Sequence, residues 1–203
     1  MGTDSTNNGV VGNIYALAMN GTNQLFVGGS LIAIDGSISA NYIASWNGNS
    51  WNILGNSTSN GVNGQVNALA MNGTNQLFVG GTFFSVAEGS ILANNIASWD
   101  GNSWSILGTN STSNGVNGQV NALAMNGTNQ LFVGGSFSSI DGNLILAGNI
   151  ALWNGELWSS FGTKSDGTVN AITTIFGTSF LVGGQFRFSP DGFCTPFLMQ
   201  GKF

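Results

Sequence analysis

Charge is nearly missing from this chain. Of 203 residues, 3 are Lys or Arg and 8 are Asp or Glu, so charged residues make up 5%, against roughly 25% in a typical globular chain. Three cations and a net charge of −5 cannot neutralise a phosphate backbone, which argues against nucleic acid and against an anionic membrane surface as partners. Histidine is absent, and with it the Ser/His/Asp triad and the usual general base near neutral pH. The single cysteine, Cys194, excludes an intrachain disulfide framework and a Cys/His zinc site. It reads first as a small buried apolar residue and second as a thiol that cross-links chains. No apolar run is long enough to span a bilayer, so membrane insertion is not expected. The opening MGTDSTNNG has neither a basic start nor an apolar centre, so it is not a signal peptide; the expectation is a mature or excised form. Helix signals are missing throughout. With so little charge, hydration must come from Asn, Ser, Thr and Gly, or from attached sugar.

The chain does contain enough apolar residues for a core: 42% over a length that one domain can fold. It also contains a repeat. NSTSNGVNGQVNALAMNGTNQLFVGG fills residues 56–81 and recurs letter for letter at 110–135. A looser copy covers 7–29 and a worn one 166–184. Self-similarity at a spacing of roughly 50 residues marks a repeat architecture. Within each copy, apolar residues alternate over short spans bounded by Asn-Gly or Asp-Gly, which supply the positive φ of tight hairpins. Four strands are predicted in each of the first three copies: 14–19, 24–29, 42–46 and 51–55; then 66–71, 76–81, 95–99 and 104–108; then 120–125, 130–135, 149–153 and 158–162. The last copy gives 169–175, 179–184 and 197–199.

These patterns predict an all-β protein, β-propeller-like, with four tandem blades of four antiparallel strands. The chain reads as a single repeat domain, 1–203, with blades at about 9–60, 61–114, 115–166 and 167–203. Residues 1–8 match the end of a repeat, since MGTDSTNNG aligns with LGTNSTSNG at 107–115, and are expected to complete the outer strand of the last blade. Small Ala68 and Ala70 suit a crowded central channel. Leu77, Phe78 and Val79 suit a buried second strand, and the double glycine is read as the point where the chain leaves the sheet. The pairs Trp46/Trp51, Trp99/Trp104 and Trp153/Trp158 flank each outer turn and are expected between blades. The Asn-Gly-Thr turns should lie on one face, and the acid-Gly loops and Asn-Ser-Thr links on the other.

The LFVGG motif, followed by Trp in IASWDG and again in NSW, resembles the kelch repeat family. It is closer still to the related repeats of fungal cortical polarity-marker proteins and secreted bacterial surface proteins. The resemblance covers the chain in four copies and implies a propeller; in copy four, Met199 and Phe203 stand where Trp is expected.

Chemistry-bearing residues are few. The acid-Gly pairs place Asp35, Glu88, Asp141 and Asp191 at equivalent positions. A ring of such carboxylates could hold Ca²⁺ through oxygen ligands, although Asp-Gly is also plain turn chemistry. Asp4, Asp100, Glu156 and Asp166 form no paired-carboxylate motif, so an enzyme is not expected and no cofactor is implied. Sequons occur at Asn20, Asn56, Asn72, Asn110 and Asn126, each in a predicted loop, and read as glycosylation sites. Trp46, Trp99 and Trp153 recur once per blade, as sugar-stacking platforms would. The expected function is a non-enzymatic structural or adhesion repeat protein, extracellular or at the cell surface. It would bind itself or other surface and matrix proteins, closing as a ring or assembling head to tail into a layer or filament. The alternative is a lectin-like carbohydrate-binding propeller that takes glycans as ligands.

Overall fold

The computed structural model describes residues 9–21, 23–35, 38–73, 76–127, 129–160, 167–175, 180–185 and 198–199. The described residues form no helix. Four antiparallel sheets follow one another along the chain, each a meander in which sequential strands are neighbours. Blade one has Val10–Met19, Leu25–Ile34, Ile43–Trp46 and Trp51–Ile53, from inner to outer strand. Blade two has Gln65–Met71, Leu77–Thr82, Ile96–Trp99 and Trp104–Ile106. Blade three has Gln119–Asn126, Gln130–Ser136, Ile150–Trp153 and Trp158–Ser160. Blade four has Thr168–Thr174, Phe180–Gln185 and Leu198–Met199; its outer strand, and the completion of that strand by residues 1–8, lie outside the described residues.

Turn chemistry sets the hairpins. The Asn47 side-chain oxygen accepts from the backbone N–H of Asn49 (2.9 Å) and Ser50 (2.8 Å). Asp100 does the same for Asn102 and Ser103, and Asn154 for Glu156 and Leu157. The glycines that follow, Gly48, Gly101 and Gly155, take φ of 94°, 98° and 100°, a region open to glycine at no steric cost. The acid-Gly loops carry more structure than the sequence suggested. Ser85–Val86 pairs with Ile91–Leu92, and Ser139–Ile140 with Ile145–Leu146, as small hairpins. Each hairpin rests on the Asn-Ser-Thr link of its repeat: Val62 bridges Val86 and Val116 bridges Ile140, while Ala87 N donates to Gly61 O and Asp141 N to Gly115 O. These loops and links therefore share a face, as expected.

The double glycine corrects one expectation. It does not release the chain from the sheet: Gly80 pairs with both Ala68 and Ile96, Gly81 pairs with Val66, and the strand continues to Thr82. Glycine is required because neighbours press on both positions. A Cβ on Gly81 would run into the Gln65 carbonyl, and one on Gly80 into the Val120 side chain of the next blade.

The core lies between blades. Phe26, Ile43 and Leu54 of blade one pack with Val66, Leu77, Val79, Trp99 and Trp104 of blade two. Phe78, Ile96 and Leu107 of blade two pack likewise with Val120, Leu131, Val133, Trp153 and Trp158 of blade three. Phe132 and Ile150 of blade three meet Val169, Phe180 and Val182 of blade four. Blades two and three thus each bury one face against the blade before and the other against the blade after.

Candidate functional site

Three kinds of contact are built at the blade boundaries, and all three meet between blades two and three. The first is a small hole. Gly28, Gly80 and Gly134 each sit under the valine that opens the next inner strand (Val66, Val120 and Val169), so a side chain at any of them would overlap it. Beside that valine stand Leu69, Leu123 and Ile172. The second contact comes from a β-bulge. The pairing shifts by one residue between Val66 and Ala68, and between Val120 and Ala122, which leaves Asn67 and Asn121 out of register. A bulge re-aims a side chain, and both amides reach the next blade. Asn67 Nδ2 donates to Val120 O at 2.9 Å and Asn121 Nδ2 to Val169 O at 3.1 Å. The third contact runs backwards. Trp104 Nε1 donates to Leu54 O at 3.1 Å, and Trp158 Nε1 to Leu107 O at 2.7 Å.

Among the described residues, blade one has no such neighbour on its first side. Ile14 and Leu17 occupy the positions of Val66 and Leu69, yet they are 47% and 60% exposed, where Val66 is fully buried. Val11, Tyr15 and Met19 on the same strand are also exposed. Trp51 Nε1, the counterpart of the Trp104 and Trp158 donors, is shielded from water and has no hydrogen-bond partner. Blade four shows the opposite half of the contact: among the described residues only Ala171 approaches Gly183, at 3.9 Å from where a Cβ would be, and the bulge residue Asn170 is exposed.

The residues singled out from sequence fall elsewhere. Trp99 and Trp153 are buried, and Trp46 is half-buried. Each packs tilted on its pair partner, with ring centroids 5.4 Å apart for Trp46–Trp51 and 5.3 Å for the other two pairs. Trp99 and Trp153 therefore present no open face on which a sugar could stack. The sequon asparagines hold turns. Asn20, Asn72 and Asn126 donate Nδ2 to the side-chain oxygens of Gln24, Gln76 and Gln130 across the Asn-Gly-Thr hairpin, at 3.0, 3.1 and 2.8 Å, and Asn72 is buried. Asn56 and Asn110 are exposed and accept from the backbone N–H of Thr58 and Thr112. Among the described residues no three His, Cys, Asp or Glu lie together. Asp35 and Asp141 each keep one buried oxygen without a hydrogen-bond partner, whereas Glu88 accepts from Asn41 at 2.9 Å. Asp191, Cys194, Asp4 and Asp166 lie outside the described residues.

A cleft of about 470 Å³ opens beside the small hairpin of blade three, among Asn117, Phe137, Ser138, Leu146 and Asn149. The sequence gave no signal for it, because it forms where a link meets a hairpin. None of the residues lining it is an acid or a base, and Asn117 is committed to the backbone N–H groups of Ser138 and Ser139.

Sheet order, inter-blade packing and the absence of helix among the described residues define a β-propeller-like repeat protein. No family model matches the chain, and no curated protein matches it. Solved structures do. The chain is similar to the RRP9 WD40 repeats at 13% identity and a TM-score of 0.52, over 84% of this chain and 46% of that one. U3-55K is covered to the same extents at 14% identity and a TM-score of 0.48. The chain thus spans less than half the length of the solved structures it matches. One expectation is corrected here. An extracellular or cell-surface location was read from composition and from the likeness to surface repeats, but the structural match is to RRP9 WD40 repeats, and that location is withdrawn. Low charge and sequon-like triplets misled because Asn-Gly-Thr and Asn-Ser-Thr serve here as turn formers.

Proposed function

We propose that this chain is a non-catalytic protein-binding scaffold with a structural, adhesion-type role, and that it binds through the open side of blade one. The observation that carries this reading is the exposed strand Val10–Met19. Ile14, Leu17 and Met19 are 47%, 60% and 58% exposed, at positions that the other blades use for inter-blade packing. A contiguous apolar patch framed by polar loops marks a protein–protein contact. No charged residue lies in that strand, so a charged ligand finds no counter-ion there. The LFVGG and downstream Trp pattern supports a kelch-like variety of the propeller repeat.

The test is a photo-cross-linking amino acid placed at Leu17, with one at Leu157 as the control. Leu157 is equally open, 62% exposed against 60%, on the outer edge of blade three. In the native host, position 17 should capture protein, its own chain included, and position 157 should not. Equal capture at both, or none at 17, overturns the reading.

A further inference from the structure

We propose that the occupant of the open side of blade one is a second copy of this chain, seated by the outward side of its blade four. The contact is head to tail and repeats the blade boundaries inside the chain; it rests on the reading of blade one as a protein-binding surface. Three observations converge. Ile14 and Leu17 of one copy are the exposed counterparts of Val66/Leu69 and Val120/Leu123. Gly183 of the other copy is the counterpart of Gly28, Gly80 and Gly134, and its hole is unfilled. The Asn170 amide stands where Asn67 and Asn121 donate to the next blade, and Ile14 is the residue whose carbonyl stands where those of Val120 and Val169 do.

The surface is therefore not a generic apolar patch. It carries the knob, and blade four carries the matching hole and the amide donor. Different patches meet, so the interface is heterologous and runs from copy to copy in one direction, closing if the rotation allows. The matched region is 46% of the RRP9 WD40 chain, so two copies supply about as much as one such ring, and a closed pair is the expected assembly.

The experiment uses the purified 203-residue chain and measures mass in solution by sedimentation equilibrium. Two variants break opposite sides: Leu17→Asp charges the knob and Gly183→Leu fills the hole. Both positions are exposed, so circular dichroism should be unchanged. The wild-type chain should associate, to twice 20.9 kDa. Each variant alone should weaken association by at least about 30-fold, the cost of losing one hot spot. An equimolar mixture should recover a heterodimer, because the aspartate chain keeps its hole and the leucine chain keeps its knob. A monomeric wild-type chain overturns the proposal. So does a Gly183→Leu chain that still pairs with itself, which would mean a head-to-head contact. In either case, capture of a different protein at position 17 in the host leaves the scaffold reading standing, and capture of nothing removes it.

Discussion

At the scale of single residues, the three equivalent outer turns show what charge contributes here. Asn47, Asp100 and Asn154 make the same pair of bonds to backbone N–H groups, but only Asp100 titrates. Its carboxyl is held below the usual carboxylate value, first by the Ser103 backbone N–H, then by that of Asn102, then by the Ser103 hydroxyl. A folded pKa lower than the unfolded one adds stability above the unfolded value of 3.8, and that stability is lost as pH falls through the folded pKa. Asp100→Asn should therefore keep the turn and leave neutral stability nearly unchanged, while weakening the loss of stability below about pH 4. Urea midpoints at pH 7 and pH 3 check this: a variant whose midpoint falls with acid as steeply as the wild type would show that the Asp100 turn is not acid-sensitive.

At the scale of the element, the inner strands of blades two and three each carry one bulge, and the bulge works across a boundary. Asn121→Leu should remove the bond to Val169 O and leave a backbone carbonyl facing an apolar side chain, at a cost of about 1–3 kcal/mol. The cost should concentrate in blade four. Hydrogen exchange should quicken in Thr168–Thr174 while blade two keeps its protection; a uniform change would mean that the bulge amide does not clasp blade four in particular. Much of this level could be read from sequence. Period-two alternation placed the strands of all four blades to within a residue or two, except in blade one. There Val10–Met19 and Leu25–Ile34 run longer, because Val10 and Val11 continue the pairing out to Ile34 and Ala33. Turn signals placed the hairpins, and repeat equivalence placed Trp99, Trp104, Trp153 and Trp158 between blades, whereas Trp51 packs within blade one alone. What could not be read was anything that depends on a neighbour distant in sequence. The bulge at Asn67 and Asn121 leaves no local mark in QVNALAM. The reason for Gly80 lies 40 residues away, in Val120. The small hairpins sit in acid-Gly loops whose links pack beneath them. The candidate site was hidden for the same reason: Ile14 and Leu17 look like ordinary core residues until the blade that would cover them is missing.

At the scale of the whole molecule, the chain is a stack whose boundaries are copies of one another, and a quasi-one-dimensional stack draws its stability from nearest-neighbour interfaces. Among the described residues, Ile14 and Leu17 of blade one and Asn170 and Gly183 of blade four carry the matching halves of that contact uncovered. The account stands or falls on whether those boundaries are held by the glycine-and-valine fit. The most direct test is a double-mutant cycle on Gly80 and Val120, read by urea unfolding. Gly80→Ala should cost about 1–3 kcal/mol through overpacking, and Val120→Ala should cost about 2 kcal/mol through the cavity it leaves. Combined, they should relieve each other, because the lost methyl groups of Val120 make room for the added one. The account predicts a double variant more stable than the sum of the two losses by about 1 kcal/mol or more; strict additivity would contradict it, because residues 80 and 120 would then not meet across a blade boundary.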